Sequence, residues 1–187
     1  MEFGKKAKEE YAIILDFLPN GYPLDKRPMF KKNPIAQAIG KDHFSLLELI
    51  PRKGITLKPH EVVYIGEGKR EKIHHVAGKL PADKLTQTAN MELEYVVEKI
   101  VNQNEKKYVN FFNKAGAITT RMHQIELLPG IGKKHMWQIL EERDKKPFED
   151  FEDLKVRVKL LPEPKKAIIK RIISEIKGED KYRLFIV

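Results

Sequence analysis

The chain has 187 residues, 36 basic against 27 acidic side chains, a formal net charge of +9, 41% hydrophobic residues and no cysteine. That length can bury a real core in one or two domains, the hydrophobic share argues against wholesale disorder, and the missing cysteine excludes disulfides, thiolate metal sites and cysteine nucleophiles. The basic excess favours a polyanionic partner; Met1-Glu2-Phe3-Gly4-Lys5-Lys6 lacks an apolar signal core and no run is long enough to span a bilayer, so a cytoplasmic protein without membrane contact is expected.

From Met1 to about Leu80 apolar residues recur with a period near two. Tyr11 to Leu18, Ile35 to Ile39, Phe44 to Ile50, Glu61 to Ile65 and Lys72 to Gly78 are the predicted strands, and turn residues such as Pro19-Asn20-Gly21 and Gly66-Glu67-Gly68 separate them. Five short strands in this length suggest a compact barrel, since closing a sheet removes its edges. The segment Leu57 to Gly66 resembles the OB-type pattern, in which a loop introduces a ligand-binding strand; an SH3-like barrel fits the strand count equally. Tyr22, Phe30 and Tyr64 interleave with Arg27, Lys31, Lys32, Lys69, Arg70 and Lys72. Aromatic faces for bases beside cations for phosphates are what a single-strand site needs, with core packing and solvated surface as the plain alternatives. Gly66-Glu67-Gly68-Lys69-Arg70 lacks the Gly-Lys-Ser/Thr of a phosphate loop and reads as a turn. His74 and His75 are neighbours on a strand, which should point their rings to opposite faces and prevent them from sharing a metal.

Pro81-Ala82-Asp83 marks a change to helical periodicity. The expected organisation is a barrel domain over residues 1–82, a helical domain over 83–178 and a tail over 179–187. Leu93, Val96, Val97 and Ile100 form one apolar stripe, and Tyr108, Phe111, Phe112 and Ala115 another before Gly116. Next, Ile118, Met122, Ile125 and Leu128 recur at near-helical spacing behind the N-cap candidates Thr119 and Thr120. Met136, Ile139 and Leu140 mark a further helix, so Leu127 to Lys134 is predicted to join two helices by a tight turn. Gly130 and Gly132 bracket Ile131, allow positive φ and leave amides bare; Lys133 and Lys134 then open the next helix. Amides, helix dipole and two ammonium groups together suit one phosphate. Leu128-Pro129-Gly130-Ile131-Gly132-Lys133-Lys134 resembles the hairpin of the helix-hairpin-helix family, which grips nucleic-acid backbone without reading bases. A bare αα-hairpin with a glycine turn is the plain alternative.

Leu160-Leu161-Pro162-Glu163-Pro164-Lys165-Lys166 repeats the pattern with one residue fewer. Glu163 puts a negative charge where a phosphate would lie and Pro164 has no N–H, so this copy is expected to be structural, with Lys165 and Lys166 as candidate backbone contacts. Between the copies, Lys145-Lys146-Pro147 breaks the chain and Asp150 can cap a short helix containing Phe151 and Leu154. The last helix carries Ile168, Ile169, Ile172, Ile173 and Ile176 and stops at Gly178. The tail from Lys181 to Val187 is apolar enough to pack on the protein, with an added barrel strand as one form of packing.

No base, nucleophile or metal cluster stands at catalytic spacing: Ser45 and Ser174 lack triad context, and Glu149, Asp150, Glu152 and Asp153 open a helix, where carboxylates offset the dipole. Ala115 to Gln124 running into Gly130-Ile131-Gly132, together with the Phe44 to Ile50 strand, resembles an uncharacterised archaeal family described as predicted nucleic-acid-binding, with a barrel ahead of tandem hairpins. The resemblance implies translation or RNA processing and brings no catalytic residues. The expected fold class is therefore α+β, an OB-like five-stranded barrel followed by an all-helical tandem hairpin domain. The expected function is non-catalytic, largely sequence-independent nucleic-acid binding, with RNA favoured over DNA and no cofactor or metal. A protein-interaction scaffold using the hairpin pair and a nuclease with an unrecognised site are the alternatives.

Overall fold

The computed structural model describes residues 8–186; the signal reading of Met1 to Lys6 and the terminal Val187 lie outside them. The fold is mixed α+β, and by its internal contacts the chain forms two compact units, Met1–Val96 with Glu175–Val187, and Val97–Ser174.

The first unit is built on β1 (Tyr11–Leu18), β2 (Ile35–Gly40), β3 (Leu46–Pro51), β4 (Val62–Tyr64) and β5 (Ile73–Lys79), each within about two residues of a predicted strand. They form one antiparallel sheet in the order β4-β1-β2-β3-β5. One face gathers Ala12, Ile14, Ala36, Ala38, Leu47, Leu49, Val63 and Ile73 into a core closed by Leu57 and Ile65. Alanines on the concave side and irregularities at Ile14/Asp16, Glu48/Leu49 and Ile50/Pro51 let the sheet curl. It curls into a half-barrel and does not close: β4 and β5 are its two edges. β4 pairs over only three residues, after which Ile65 N and Gly66 N both donate to Glu10 O (2.8 and 3.1 Å) and Lys72 forms an ion pair with Glu61.

The other face of the sheet is also buried, which explains why β2 is inaccessible at all its positions. Its polar member, Gln37, is fully satisfied. The amide donates to Lys84 O (2.9 Å) and Tyr22 Oη (3.2 Å) and accepts from Thr86 N (2.8 Å). Thr86 Oγ1 in turn donates to Asp16 (2.6 Å) and accepts from Ala89 N (3.1 Å), so one threonine caps α1 (Gln87–Gln103) and ties its start to β1.

Two buried glutamates organise the ends of this unit. Glu9 accepts from the amides of Asp42 (2.9 Å), His43 (3.0 Å) and Ser45 (3.2 Å), and a β-carbon at Gly40 would lie 2.0 Å from its carboxylate. Glu175 accepts from the amides of Leu184 (2.7 Å), Phe185 (3.0 Å) and Ile186 (3.2 Å). The described part of the tail is thus a loop held by a carboxylate and not a further strand. The two histidines of β5 also depart from expectation. The register skips His74 between Ile73 and His75, and this bulge brings the rings together, with Nδ1 atoms 2.7 Å apart on the exposed surface.

The second unit contains the end of α1, α2 (Glu105–Lys114), α3 (Lys133–Lys145), α4 (Phe151–Arg157) and most of α5 (Pro164–Lys177). Phe112, Ile125, Ile139, Leu154, Ile168 and Ile172 lie at its centre, each fully buried. Phe112 meets Phe151 edge to face at 6.5 Å. Arg143 donates to the carbonyls of Phe112 (3.0 Å) and Ala115 (2.7 Å), which satisfies the end of α2, and Asp150 caps α4 through Asp153 N. The helix expected behind Thr119 and Thr120 does not form. Residues Ala117–Thr119 (β6) and Met122–His123 (β7) make a two-stranded ribbon, and Gln124–Leu127 a single 3-10 segment. Thr119 Oγ1 accepts from Arg121 N (3.2 Å), closing the ribbon turn, and His123 and Glu126 exchange side-chain bonds with each other's backbone region, so local capping outweighs the helical spacing.

Candidate nucleic-acid interface

The hairpin between the 3-10 segment and α3 is a tight reversal with the residue types its geometry requires. Ile131 N donates to Leu128 O (3.1 Å), and Pro129 and Gly130 occupy the two central positions, Gly130 with φ +81°. That is a type II turn, in which proline presets the first central residue and glycine alone takes the second without strain. Gly132 behaves differently. Its φ of −97° is open to any residue and no atom lies within 4 Å of where its β-carbon would be, so the expectation that both glycines serve positive φ holds at Gly130 only. The amide of Ile131 is spent inside the turn, and its side chain is buried. What remains for a ligand is the first turn of α3. Its first intrahelical bond runs from Met136 N to Gly132 O (3.0 Å), Gly132 has no side chain to cap the preceding amides, and Lys133 and Lys134 are both exposed.

The second hairpin is adjacent to the first: a β-carbon on Gly130 would sit 3.6 Å from Pro162, and the buried Arg171 of α5 donates to Leu127 O (3.1 Å). Glu163 forms an ion pair with Lys155 at 3.3 Å, Lys165 lies 5.9 Å over the ring of Phe151, and Lys166 is exposed. Of the two, Lys166 is the free cation beside the hairpins.

The other predicted contacts lie in the first unit, in and beside two separate loops. In the β1–β2 loop, Phe30 is 84% exposed with the Lys31 ammonium 5.9 Å from its ring centre, while Lys32 is half-buried. Arg27 is held by Asp25 through bonds of 2.7 to 3.1 Å, and this guanidinium keeps the Asp25 carboxyl down at about 2. Tyr22 is not presented for stacking. Its hydroxyl donates to Glu48 (2.6 Å), and burial, reinforced by that carboxylate, pushes the phenol up to about 12. At the end of β4, Tyr64 folds over Gly66 of the β4–β5 loop and accepts from Gly68 N (3.0 Å), with Tyr11 edge-on at 5.3 Å. Arg70 is tied to Gly66 O (2.8 Å) and Lys72 to Glu61, leaving Lys69 exposed and unencumbered. Phe30, Lys31 and Lys69 are thus presented, whereas Tyr22, Tyr64, Arg27, Arg70 and Lys72 are largely occupied by the fold.

Sequence reasoning passed over Trp137, the chain's one tryptophan, which is 66% exposed on α3. It lines a groove of about 390 Å³ with the β6–β7 ribbon, Lys133 and Met136. The signal was present: Trp137 falls beside, not on, the Met136, Ile139, Leu140 face that defines the helix. Among the described residues no group of three or more His, Cys, Asp or Glu is placed to hold a metal, and no helix is long and apolar enough to cross a membrane.

Comparison with known proteins places this architecture. Residues 8–187 match the model of a family described as a protein of unknown function (DUF655). An uncharacterised protein of Methanocaldococcus jannaschii, MJ0038, is 46% identical over 192 residues, which takes in 100% of this chain and 85% of that protein. The crystal structure of Af1531 from Archaeoglobus fulgidus, assigned to the same family, superposes with a TM-score of 0.88 at 52% identity, covering 96% of this chain and 100% of that one. The chain belongs to this family.

Proposed function

We propose that this member of the family binds nucleic acid through its phosphates, without catalysis, and that the Leu128 to Lys134 hairpin is the principal grip. The observation that carries the reading is the uncapped first turn of α3 behind a type II turn, flanked by exposed Lys133 and Lys134. A phosphate there would satisfy orphan amides and meet both the dipole and two ammonium groups. In this reading the two adjacent hairpins are a helix-hairpin-helix pair whose second copy buttresses the first, since Glu163 is engaged by Lys155. The half-barrel is OB-like, and its β1–β2 loop, with Phe30 beside Lys31, is a second contact surface of the kind such barrels use. RNA is favoured over DNA on the family resemblance; the phosphate grip itself does not distinguish them.

A protein-docking role is the second reading, favoured by Val156 and Leu160, which are 70% and 91% exposed around the second hairpin. Fluorescence anisotropy against labelled single-stranded and duplex RNA and DNA, at low and physiological salt, separates the two. The phosphate reading expects binding that weakens steeply with salt. Failure to bind any of the four at low salt would sink it and leave the docking reading.

A further inference from the structure

We infer that the groove between the β6–β7 ribbon and α3 is a stacking site for one unpaired nucleobase, with Trp137 as its platform. The inference rests on the phosphate-binding reading above and adds to it the substrate class: a single strand, or a strand with an extruded base. Trp137 stands one helical turn beyond Lys133 on the same side of α3, while the core face of that helix is taken by Met136 and Ile139. The indole is 66% exposed, so it does not serve the core. The groove's volume of about 390 Å³ falls within the range of small-ligand sites, and its floor is apolar through Met122, Met136 and Leu140.

Charge and chemistry at the rims select the occupant. Arg121 on one side and Lys133 on the other are exposed cations facing the same groove. The carboxylate there, Glu126, is committed to His123 N at 2.9 Å. An aromatic face between two cations suits a flat, electron-rich ring carried on a phosphodiester, in which the base stacks and its flanking phosphates meet the rims. Bases within a duplex are stacked on their neighbours and cannot reach the indole.

Because Trp137 is the chain's one tryptophan, its emission reports the groove directly. The experiment titrates the full chain with a single-stranded oligonucleotide and with a blunt duplex of equal length, in RNA and DNA forms, reading tryptophan emission and, with labelled strands, anisotropy. Single strands should quench the emission strongly and duplexes little. Trp137→Ala should weaken single-strand binding about tenfold with duplex binding unchanged, and Trp137→Phe should retain most of the affinity. Single-strand binding by anisotropy with unchanged emission and an unaffected Trp137→Ala variant would overturn the groove assignment while leaving the phosphate reading standing. No binding of any strand by anisotropy would overturn both.

Discussion

Gly130 and Gly132 sit two residues apart and are glycines for different reasons. Gly130 holds φ +81°, where a side chain is strained, whereas Gly132 holds an ordinary extended conformation in open space. A carboxylate can therefore be introduced at Gly132 without touching the fold. As the N-cap of α3, Gly132→Asp should leave stability unchanged or raise it by a few tenths of a kcal/mol, because aspartate is a good cap. Leu160 is the converse case. It holds φ +59° with its side chain 91% exposed, so it bears the strain of a left-handed residue and gains little from burial. Leu160→Gly should stabilise the protein by about 1 kcal/mol, read as a rise in the urea midpoint. An unchanged or lower midpoint would mean that the leucine makes stabilising contacts in solution. His123 is held below the ordinary imidazole value of 6.5, first by burial and then by the charge of Arg143, against the pull of Glu126. The folded state thus refuses a proton that the unfolded chain accepts. Its contribution is fully present above the ordinary value and is lost as pH falls from there towards the folded value. His123→Asn keeps an acceptor for Ile125 N, so its stability should fall less than the wild type's between pH 7.5 and 5.5 in parallel urea titrations. Equal losses would assign the sensitivity elsewhere.

At the scale of elements, buried carboxylates do work that hydrophobic periodicity does not reveal. Glu9 gathers the amides of the β2–β3 turn and Glu175 those of the tail. Removing a charged acceptor from amides it satisfies is costly, on the order of 1–3 kcal/mol. Glu175→Ala should release the tail, detected as rapid proteolytic trimming after Gly178 with the sheet intact by circular dichroism; an equally resistant variant would show that apolar contacts alone retain it. The five strands were legible because period-two runs with punctuating turns have few other solutions, and the long helices because their stripes are broad. The β6–β7 ribbon was not legible, since Ile118, Met122, Ile125 and Leu128 mimic a helical stripe while the deciding bonds come from Thr119, His123 and Glu126. The bulge at His74 was equally hidden, because register depends on the partner strand β3. The hairpin turn could be read from Pro129 and Gly130 alone; Trp137 escaped because its signal is only a place off the Met136, Ile139, Leu140 stripe, and periodicity draws attention to the stripe itself.

For the molecule as a whole, the charge of +9 is the term that must be explained, and exposed cations beside the first turn of α3 give it a local focus. In the proposed reading the half-barrel adds contacts at Phe30 and Lys31 in one loop and at Lys69 in another, so removing the hairpin grip should weaken binding without abolishing it. Phosphate contacts release counterions, and affinity should fall as a power of salt concentration, with the slope reporting the number of contacts. The most direct test compares wild type and Gly132→Asp in anisotropy titrations against one single-stranded RNA over a series of salt concentrations. If the hairpin is the principal grip, the folded variant loses about tenfold or more in affinity at low salt and its salt slope becomes shallower by about one phosphate. An equally stable variant with wild-type affinity and an unchanged slope would contradict the account and move the nucleic acid off the hairpin.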